Sequence, residues 1–299
     1  MQQLSNGFML SRTETRSFDQ IKRHYEIEKK LANRLRQATQ SERQQLYGEV
    51  YAELRRELLG NLSAPSNDMA LQAKRVTAQM SFLNRFLYQE AVFLELGASS
   101  CRTSIEVAKR VKKVYAIDVS FGQVDKSSLP KTLDCRVFDG LHIGIPSATV
   151  DIAYSHQVIE HVHPEDALVR GVYDALAPGG KYICVTPNRL SGPHDMSKHF
   201  DQVATGFHMK EYTITELAEI LKKTGFSKVT PYIGARGCYV PIPKNWVKLL
   251  EAVLSVFPWK LRAALARRVP LRPLLAIRVV GRKPCEHKRH TSREMQLRD

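Results

Sequence analysis

Between residues 91 and 233 of this 299-residue chain, short apolar runs alternate with segments of helical periodicity. The runs are continuous rather than alternating in polarity, as expected of parallel strands buried on both faces. Strands that alternate with helices predict a parallel sheet with crossover connections. Strands are predicted at 91–96, 114–118, 135–138, 150–155, 181–186, 227–233 and 274–283. We therefore expect an α/β fold with a doubly wound, mostly parallel, seven-stranded sheet.

Charged segments of helical periodicity precede this region. Residues 18–60 predict two helices, the second with a capping box from Ser41 to Gln44. The stretch "NLSAPSN" at 61–67 is typical of a linker, and a third helix is predicted over 68–89. We expect an N-terminal helical extension over 1–67 and a main domain over 68–283.

A basic insertion over 235–272 separates the last predicted strand from its neighbour. Its apolar residues recur at helical spacing and predict an amphipathic helix that Pro258 ends: Trp246, Leu249, Leu250, Val253, Leu254 and Phe257. Residues 241–272 hold seven basic side chains, one acidic side chain and both tryptophans. This pattern is typical of an interfacial membrane helix, although the apolar stripe equally suits packing on its own domain.

Charge and cysteine content narrow the class of protein. The net charge is +15, and residues 241–299 contribute +10 of it through 14 basic and 4 acidic side chains. An anionic membrane is the partner we expect there, at 241–272, and RNA is its rival. Five cysteines without a CxxC pair argue against a disulfide framework and a zinc cluster. We expect a cytoplasmic, peripherally membrane-associated protein with a disordered tail over 284–299.

The stretch "FLELGASSC" at 93–101 places an acidic residue and a glycine at the end of a predicted strand. Ligands bind at the carboxyl ends of parallel strands, where Glu95, Asp118, Asp139 and His156 fall. Asp118 follows Gly97 by 21 residues, a spacing that suits a ribose diol, although a strand-end aspartate can simply cap a helix. Glu95 would repel a pyrophosphate and favours a cationic cofactor such as S-adenosylmethionine (SAM) over a dinucleotide.

Five motifs in order resemble the class I SAM-dependent methyltransferases: "ELGASSC", "VYAIDVS", "FDG", and the two halves of 150–188, which include Glu160, His161 and the turn 178–180. The sequence of residues 188–213 is similar to that of a bacterial subgroup of methyltransferase-domain proteins whose substrate is unassigned. The resemblance implies a Rossmann-like sheet and these cofactor-binding residues: Glu95, Gly97, Ala98, Ser99, Cys101, Asp118, Val119, Asp139, Gly140 and His156. Ser99 and Cys101 stand where the family usually has glycine, so a positive φ there would cost about 1 kcal/mol.

Methyl transfer from a sulfonium needs mainly alignment of the acceptor, and a general base only for a protonated acceptor. The candidate bases are His161, His194 and His199. The loop 188–212 is rich in His and Asp but lacks a regular ligand motif, so we expect an acceptor-binding lid and no metal. The predicted acceptor is a small molecule, a lipid-linked molecule or a glycan, methylated on oxygen. The alternatives are an RNA methyltransferase, a non-catalytic membrane or RNA adaptor, and an NAD-dependent oxidoreductase.

Overall fold

A computed structural model describes residues 16–59, 69–121, 124–235, 237–268 and 271–285. The predicted linker at 61–67 lies outside these ranges. The predicted tail over 284–299 also lies outside them from residue 286 onward.

Eight strands of the described chain form one sheet in the order β3-β2-β1-β4-β5-β8-β6-β7. Their bounds are β1 Val92–Leu96, β2 Lys113–Asp118, β3 Leu133–Val137, β4 Val150–His156, β5 Leu176–Thr186, β6 Lys228–Ala235, β7 Cys238–Pro241 and β8 Ile277–Arg282. The first five are parallel, and β8 lies antiparallel between β5 and β6. The sheet is thus Rossmann-like and mostly parallel, as predicted.

The predicted strand count of seven is wrong by one. The extra strand, β7, pairs antiparallel with β6 at the sheet edge and falls inside the segment predicted as a helical insertion. It has four residues and ends at Pro241. A strand this short has no usable periodicity, and proline is tolerated in sheets mainly at edges.

Nine helices of the described chain surround the sheet: α1 Phe18–Gln37, α2 Gln40–Leu59, α3 Met69–Leu83, α4 Arg102–Ala108, α5 Glu165–Ala175, α6 Ile214–Thr224, α7 Lys244–Ser255, α8 Trp259–Ala266 and α9 Leu271–Leu275. None of these described helices is long and apolar enough to cross a bilayer. The predicted cap of α2 is shifted, because Thr39 and Glu42 exchange the capping hydrogen bonds rather than Ser41 and Gln44.

The sheet buries both faces, as a doubly wound fold requires. Alternate side chains of β1 point to opposite sides: Leu94 and Leu96 join the core that includes α5 and α6, and Phe93 joins the core that includes α3 and α4. The carboxyl ends of β1, β2 and β4 therefore meet at one edge, between these two helix layers.

The segment 188–212 is packed rather than open. Leu31, Leu35 and Tyr47 of α1 and α2 contact Phe207 in one apolar cluster. The insertion helices cover the other end of the segment, where Leu254 clusters with Leu190. Arg36 of α1 also donates to the backbone carbonyls of residues 205, 206 and 208. The segment predicted as an acceptor-binding lid is therefore packed against α1, α2 and the insertion helices, and its role in acceptor binding stays a prediction.

The amphipathic helix of the insertion divides its apolar residues between two environments. Leu254 is buried and Leu250 packs beside it. Trp246, Leu249 and Val253 instead lie on the outer face and are 64%, 55% and 52% exposed. The predicted stripe thus supplies both a core contact and an unpartnered apolar face.

Candidate active site

Two cavities open at the carboxyl edge of the sheet, one of about 610 Å³ and one of about 240 Å³. Gly97, Ser99 and Gln157 line both of them. The loop after β1 and the residue after β4 therefore form the boundary between the cavities. This is the edge at which ligands bind in open parallel sheets.

The loop 97–101 has few glycines, yet its backbone has the positive φ angles that are typical of a glycine-rich loop. Gly97, Ser99 and Cys101 all have positive φ, at 72°, 47° and 56°. A Cβ on Gly97 would lie 2.4 Å from Val158 Cγ2, so this position accepts only glycine without a shift. Ser99 and Cys101 thus hold the left-handed conformation that glycine adopts without strain, at the cost expected from the sequence.

The smaller cavity brings together Asp118, Val119, Gly140 and His161. Asp118 accepts hydrogen bonds from the peptide N–H groups of Ser99 at 2.8 Å and Ser120 at 3.0 Å. Burial raises the pKa of its carboxyl, and these backbone donors oppose the rise. The arrangement leaves a carboxylate at the end of β2, where a ligand diol can be bound.

Helix α2 forms the opposite wall of the smaller cavity through Tyr47, Tyr51 and Arg55. Gly140 has φ of 90°, and a Cβ there would lie 2.6 Å from the Tyr47 ring. No motif in the sequence predicts this wall. Positions 47, 51 and 55 nevertheless recur every four residues and so share one helix face.

The larger cavity combines one carboxylate with several cations. Among the described residues its lining includes Glu95, Arg75, Arg102 and Arg278, together with Ala98 and His156. Burial raises the pKa of Glu95 to about 7, against a hydrogen bond from the Ser104 hydroxyl. Burial, then the charges of Arg278 and Arg75, lowers the pKa of His156 to about 4. His156 is therefore neutral near pH 7, and the cavity carries net positive charge.

Arg278 is a further cavity residue that no sequence motif predicted. It lies on β8, and its guanidinium carbon is 5.1 Å from the centre of the Tyr239 ring. Its Nη1 is buried and has no hydrogen-bond partner among the described residues. A charged residue inside the apolar run 274–281 was the available signal, because buried strands rarely carry an unpaired arginine.

Four predicted site residues line neither cavity: Cys101, Asp139, His194 and His199. The Asp139 carboxylate accepts from the peptide N–H groups of Leu141 and His142, at 2.8 and 2.7 Å, and so closes its own loop. Cys101 is buried, with Sγ 3.5 Å from Cys135 Sγ. The roles predicted for these four residues in cofactor binding or catalysis therefore stay predictions, since none of the four lines either cavity.

The three candidate bases differ in access. His161 contacts the smaller cavity, and burial lowers its pKa to about 3. His194 lies within the packed segment, where its Nε2 is 3.0 Å from Ser191 Oγ. His199 is buried in the same segment. The structure therefore brings only one of these histidines to a cavity wall.

The two cavities fit the cofactor that the sequence predicts. The buried Glu95 carboxylate suits the cationic end of SAM, and the Asp118 carboxylate suits a ribose. Gly97 and Gly140 leave room for Val158 and the Tyr47 ring, which line the smaller cavity beside them. The residues present can therefore hold SAM.

Comparison with known proteins agrees with this fit. A protein of Mycolicibacterium smegmatis, named "Probable S-adenosylmethionine-dependent methyltransferase", is 29% identical over 135 residues, which cover 44% of this chain and 51% of that protein. One of Mycobacterium tuberculosis with a similar name is 33% identical over 138 residues, or 46% of this chain and 48% of that one. The chain thus spans about half the length of the curated relatives it matches.

The fold has a solved counterpart. A chain of the complex between the Haloferax volcanii Trm112 methyltransferase activator and its partner methyltransferase superposes with a TM-score of 0.55 at 17% identity, covering 74% of this chain and 95% of that chain. The sequence profile of the methyltransferase domain family matches residues 49–230. That match covers more than half of the chain. The protein therefore belongs to the methyltransferase domain family, within the class I SAM-dependent methyltransferases.

Proposed function

We propose that this protein transfers the methyl group of SAM to an oxygen of a small-molecule, lipid-linked or glycan acceptor that carries an anionic group. The observation that carries the proposal is the larger cavity, whose lining in the described chain holds Arg75, Arg102 and Arg278 but only one carboxylate, Glu95. An acceptor with negative charge would balance this excess of cations.

The cofactor would occupy the smaller cavity and the adjoining part of the larger one. Asp118 would accept from the ribose hydroxyls, and Glu95 would face the ammonium and sulfonium groups. When bound, SAM supplies an electrophilic methyl group on sulfur. The task of the protein is then to hold an acceptor oxygen in line with that group and to exclude water.

Three arginines exceed what the cofactor alone requires. The carboxylate of its methionine end would pair with one of them and leave two for the acceptor. The buried, unpartnered Nη1 of Arg278 supports this division, since an unpaired buried donor costs about 1–3 kcal/mol unless a ligand accepts from it. An acceptor oxygen that is already ionised, as in a carboxylate, needs no general base. An acceptor that is already ionised is consistent with the positions of His194 and His199, which lie away from both cavities.

The first test measures cofactor and acceptor separately. Calorimetry with SAM and NADH should show binding of SAM alone, and binding of NADH alone would overturn the methyltransferase proposal. Label from methyl-labelled SAM should then enter the lipid or small-molecule pool of a fractionated cell extract. Label that enters RNA instead would favour the RNA methyltransferase alternative.

The second test addresses the anionic group. With an acceptor in hand, Arg278→Gln should raise KM for that acceptor about 10–100-fold, because a charged hydrogen bond is worth about 1.5–3 kcal/mol. Arg282→Gln lies four residues further along the same strand, is exposed, and is the matched control. Equal KM values for the two variants would show that Arg278 does not bind the acceptor.

We also propose that the outer face of α7 rests on an anionic membrane. Trp246, Leu249 and Val253 form an exposed apolar stripe, and Lys244 and Lys248 lie on the same helix. Exposed apolar residues beside lysines are the composition of interfacial helices.

Flotation tests the membrane proposal. The protein should float with vesicles that contain phosphatidylserine and should detach at high salt. The variant in which Trp246, Leu249 and Val253 are all changed to serine should stay at the bottom of the density gradient. Val137→Ser removes an equally exposed apolar side chain at the other sheet edge and should float as the wild type does. Flotation of the triple variant would refute the proposal.

A further inference from the structure

A buried group of metal-ligating side chains lies at the wall of the smaller cavity. Glu160, His161 and His208 each offer one ligand atom, and these atoms lie within 4.8 Å of one another. Glu160 and His208 are buried, and His161 is partly buried. The three come from two separate segments, the short 3-10 turn Ile159–His161 after β4 and the packed segment 188–212.

The hydrogen bonds of both histidines leave the same ring nitrogen open. His161 Nδ1 is 3.0 Å from the carbonyl oxygen of Phe207, which can only accept, so this nitrogen carries the hydrogen. His208 Nδ1 is 2.7 Å from a carboxylate oxygen of Glu211. Both Nε2 atoms therefore remain as the ligand atoms. Metal-ligating histidines usually donate their other N–H to a carbonyl or a carboxylate in this way.

Glu160 provides a second, independent observation. Its side chain is fully buried, and one carboxylate oxygen, Oε2, accepts from the Thr186 hydroxyl at 2.8 Å. The other oxygen, Oε1, is buried and has no hydrogen-bond partner among the described residues. An unsatisfied buried carboxylate oxygen is costly, and a cation between it and the two imidazoles would satisfy it.

We propose that Glu160, His161 and His208 form a binding site for a divalent transition-metal ion of the zinc type. Two imidazoles and one carboxylate are a common three-ligand set for such ions and leave one position for water or a ligand. Imidazole ligands select against Mg²⁺ and Ca²⁺, which prefer oxygen. Bonds of about 2.1 Å would draw the ligand atoms to about 3.4 Å apart in a tetrahedral site, so the side chains close on the ion slightly.

The site joins two segments that already touch. The backbone carbonyl of Glu160 accepts from the peptide N–H groups of Met209 at 2.7 Å and Lys210 at 3.2 Å. An ion held by His208 and by the turn 159–161 would fasten the packed segment to the end of β4, beside the cofactor cavity. The sequence predicts no metal because the cysteines form no CxxC pair and the loop 188–212 lacks a regular ligand motif, whereas this site takes only His208 from that loop.

Metal titration of the wild type tests the site. The full-length chain, purified without a histidine tag and freed of metal and chelator, should bind Zn²⁺ at one ion per chain by calorimetry. Co²⁺ at the same stoichiometry should give the strong visible absorption of a four-coordinate site. Bound Zn²⁺ should raise the melting temperature. A wild-type chain without saturable one-to-one binding of either ion overturns the proposal, whether or not any variant folds.

Variants then locate the ion. Glu160→Gln and His208→Gln should each weaken Zn²⁺ binding more than about 100-fold. Glu211 contacts His208 and the peptide N–H of His194 but is not one of the three ligands, so Glu211→Gln should weaken binding about 10-fold. His163→Ala removes an exposed histidine two residues from the site and should bind as the wild type does. Melting curves without metal establish that each variant is folded. Binding as tight in both ligand variants as in His163→Ala would overturn the assignment.

Discussion

Glu95 is the residue at which cofactor affinity and folding stability should oppose each other. Its side chain is only 5% exposed at the end of β1, and burial raises its pKa to about 7. Without a cationic ligand, the carboxyl is therefore about half protonated near neutral pH. The sulfonium and ammonium of SAM favour the ionised form, so binding should release a proton from this group.

The pH dependence of affinity follows from that pKa. If SAM binds the ionised form, its apparent Kd should rise about 16-fold between pH 7 and pH 5.5. In this range the α-amino group of SAM stays protonated, since its ordinary pKa is about 7.7–8.0. Glu95→Gln should bind SAM more weakly, and its Kd should lack the part of the pH dependence that comes from Glu95. Asp118 contributes equally to both proteins, so the difference in slope reports Glu95.

Ionisation of Glu95 strengthens SAM binding but weakens folding. The pKa of Glu95 in the folded state exceeds its ordinary value of 4.5, so the folded chain holds a proton that the unfolded chain releases. Stability is therefore lost as the pH rises from about 4.5 to 7. At pH 8 the buried carboxylate costs about 3 kcal/mol. Glu95→Gln removes the charge but keeps the shape, and should recover much of that cost in the cofactor-free protein.

Two measurements check this trade-off. Calorimetry gives the Kd for SAM at several pH values between 5.5 and 7, and urea unfolding at pH 8 gives the stability without cofactor. Glu90→Gln, at an exposed position just before β1, is the control for a lost carboxylate. A wild-type Kd that does not change with pH, or a Glu95→Gln protein less stable than wild type at pH 8, would refute the reasoning.

Three further variants test the backbone and a helix cap by urea unfolding. Gly97→Ala should cost about 2–4 kcal/mol, because φ is positive and the new Cβ meets Val158; a background of Val158→Ala should recover the steric part. Ser99→Gly should gain about 0.5–1 kcal/mol by relieving its positive φ, and an unchanged midpoint would show no strain there. Glu251→Ala should cost about 1–3 kcal/mol, because Glu251 accepts from the buried N–H of Ile214 at 2.8 Å; wild-type stability would contradict this cap.

Local patterns predicted the framework of the fold. The pattern Thr-x-x-Glu at 213–216 is a capping-box sequence, and Thr213 and Glu216 make both reciprocal hydrogen bonds. The continuous apolar runs became the parallel strands, because burial on both faces leaves no room for polar alternation. The interval from Gly97 to Asp118 also placed both residues at one cavity, since strand ends of a parallel sheet converge there.

Other features depend on contacts between distant parts of the chain, and no local pattern carries them. Asp139 matched a family motif, yet its carboxylate is used by its own loop. Arg278 stands in an apolar run that predicted a strand correctly but gave no indication of which cavity it meets. His208 lies 47 residues after His161, and only the packing of segment 188–212 brings their rings within 4.9 Å. Sequence spacing constrains neighbours along one element, whereas sites assemble across several.

Helix α2 lines the smaller cavity, although the sequence predicts it as part of an N-terminal extension over 1–67. Tyr51 of α2 lines the smaller cavity and also packs edge-on against Phe207, with ring centres 5.0 Å apart. Phe207 in turn holds the His161 ring through its carbonyl oxygen. One aromatic contact thus links the outer wall of the cofactor cavity to the proposed metal site. A boundary drawn at residue 67 would separate these groups, so the working unit of the site has to include α2 together with the sheet.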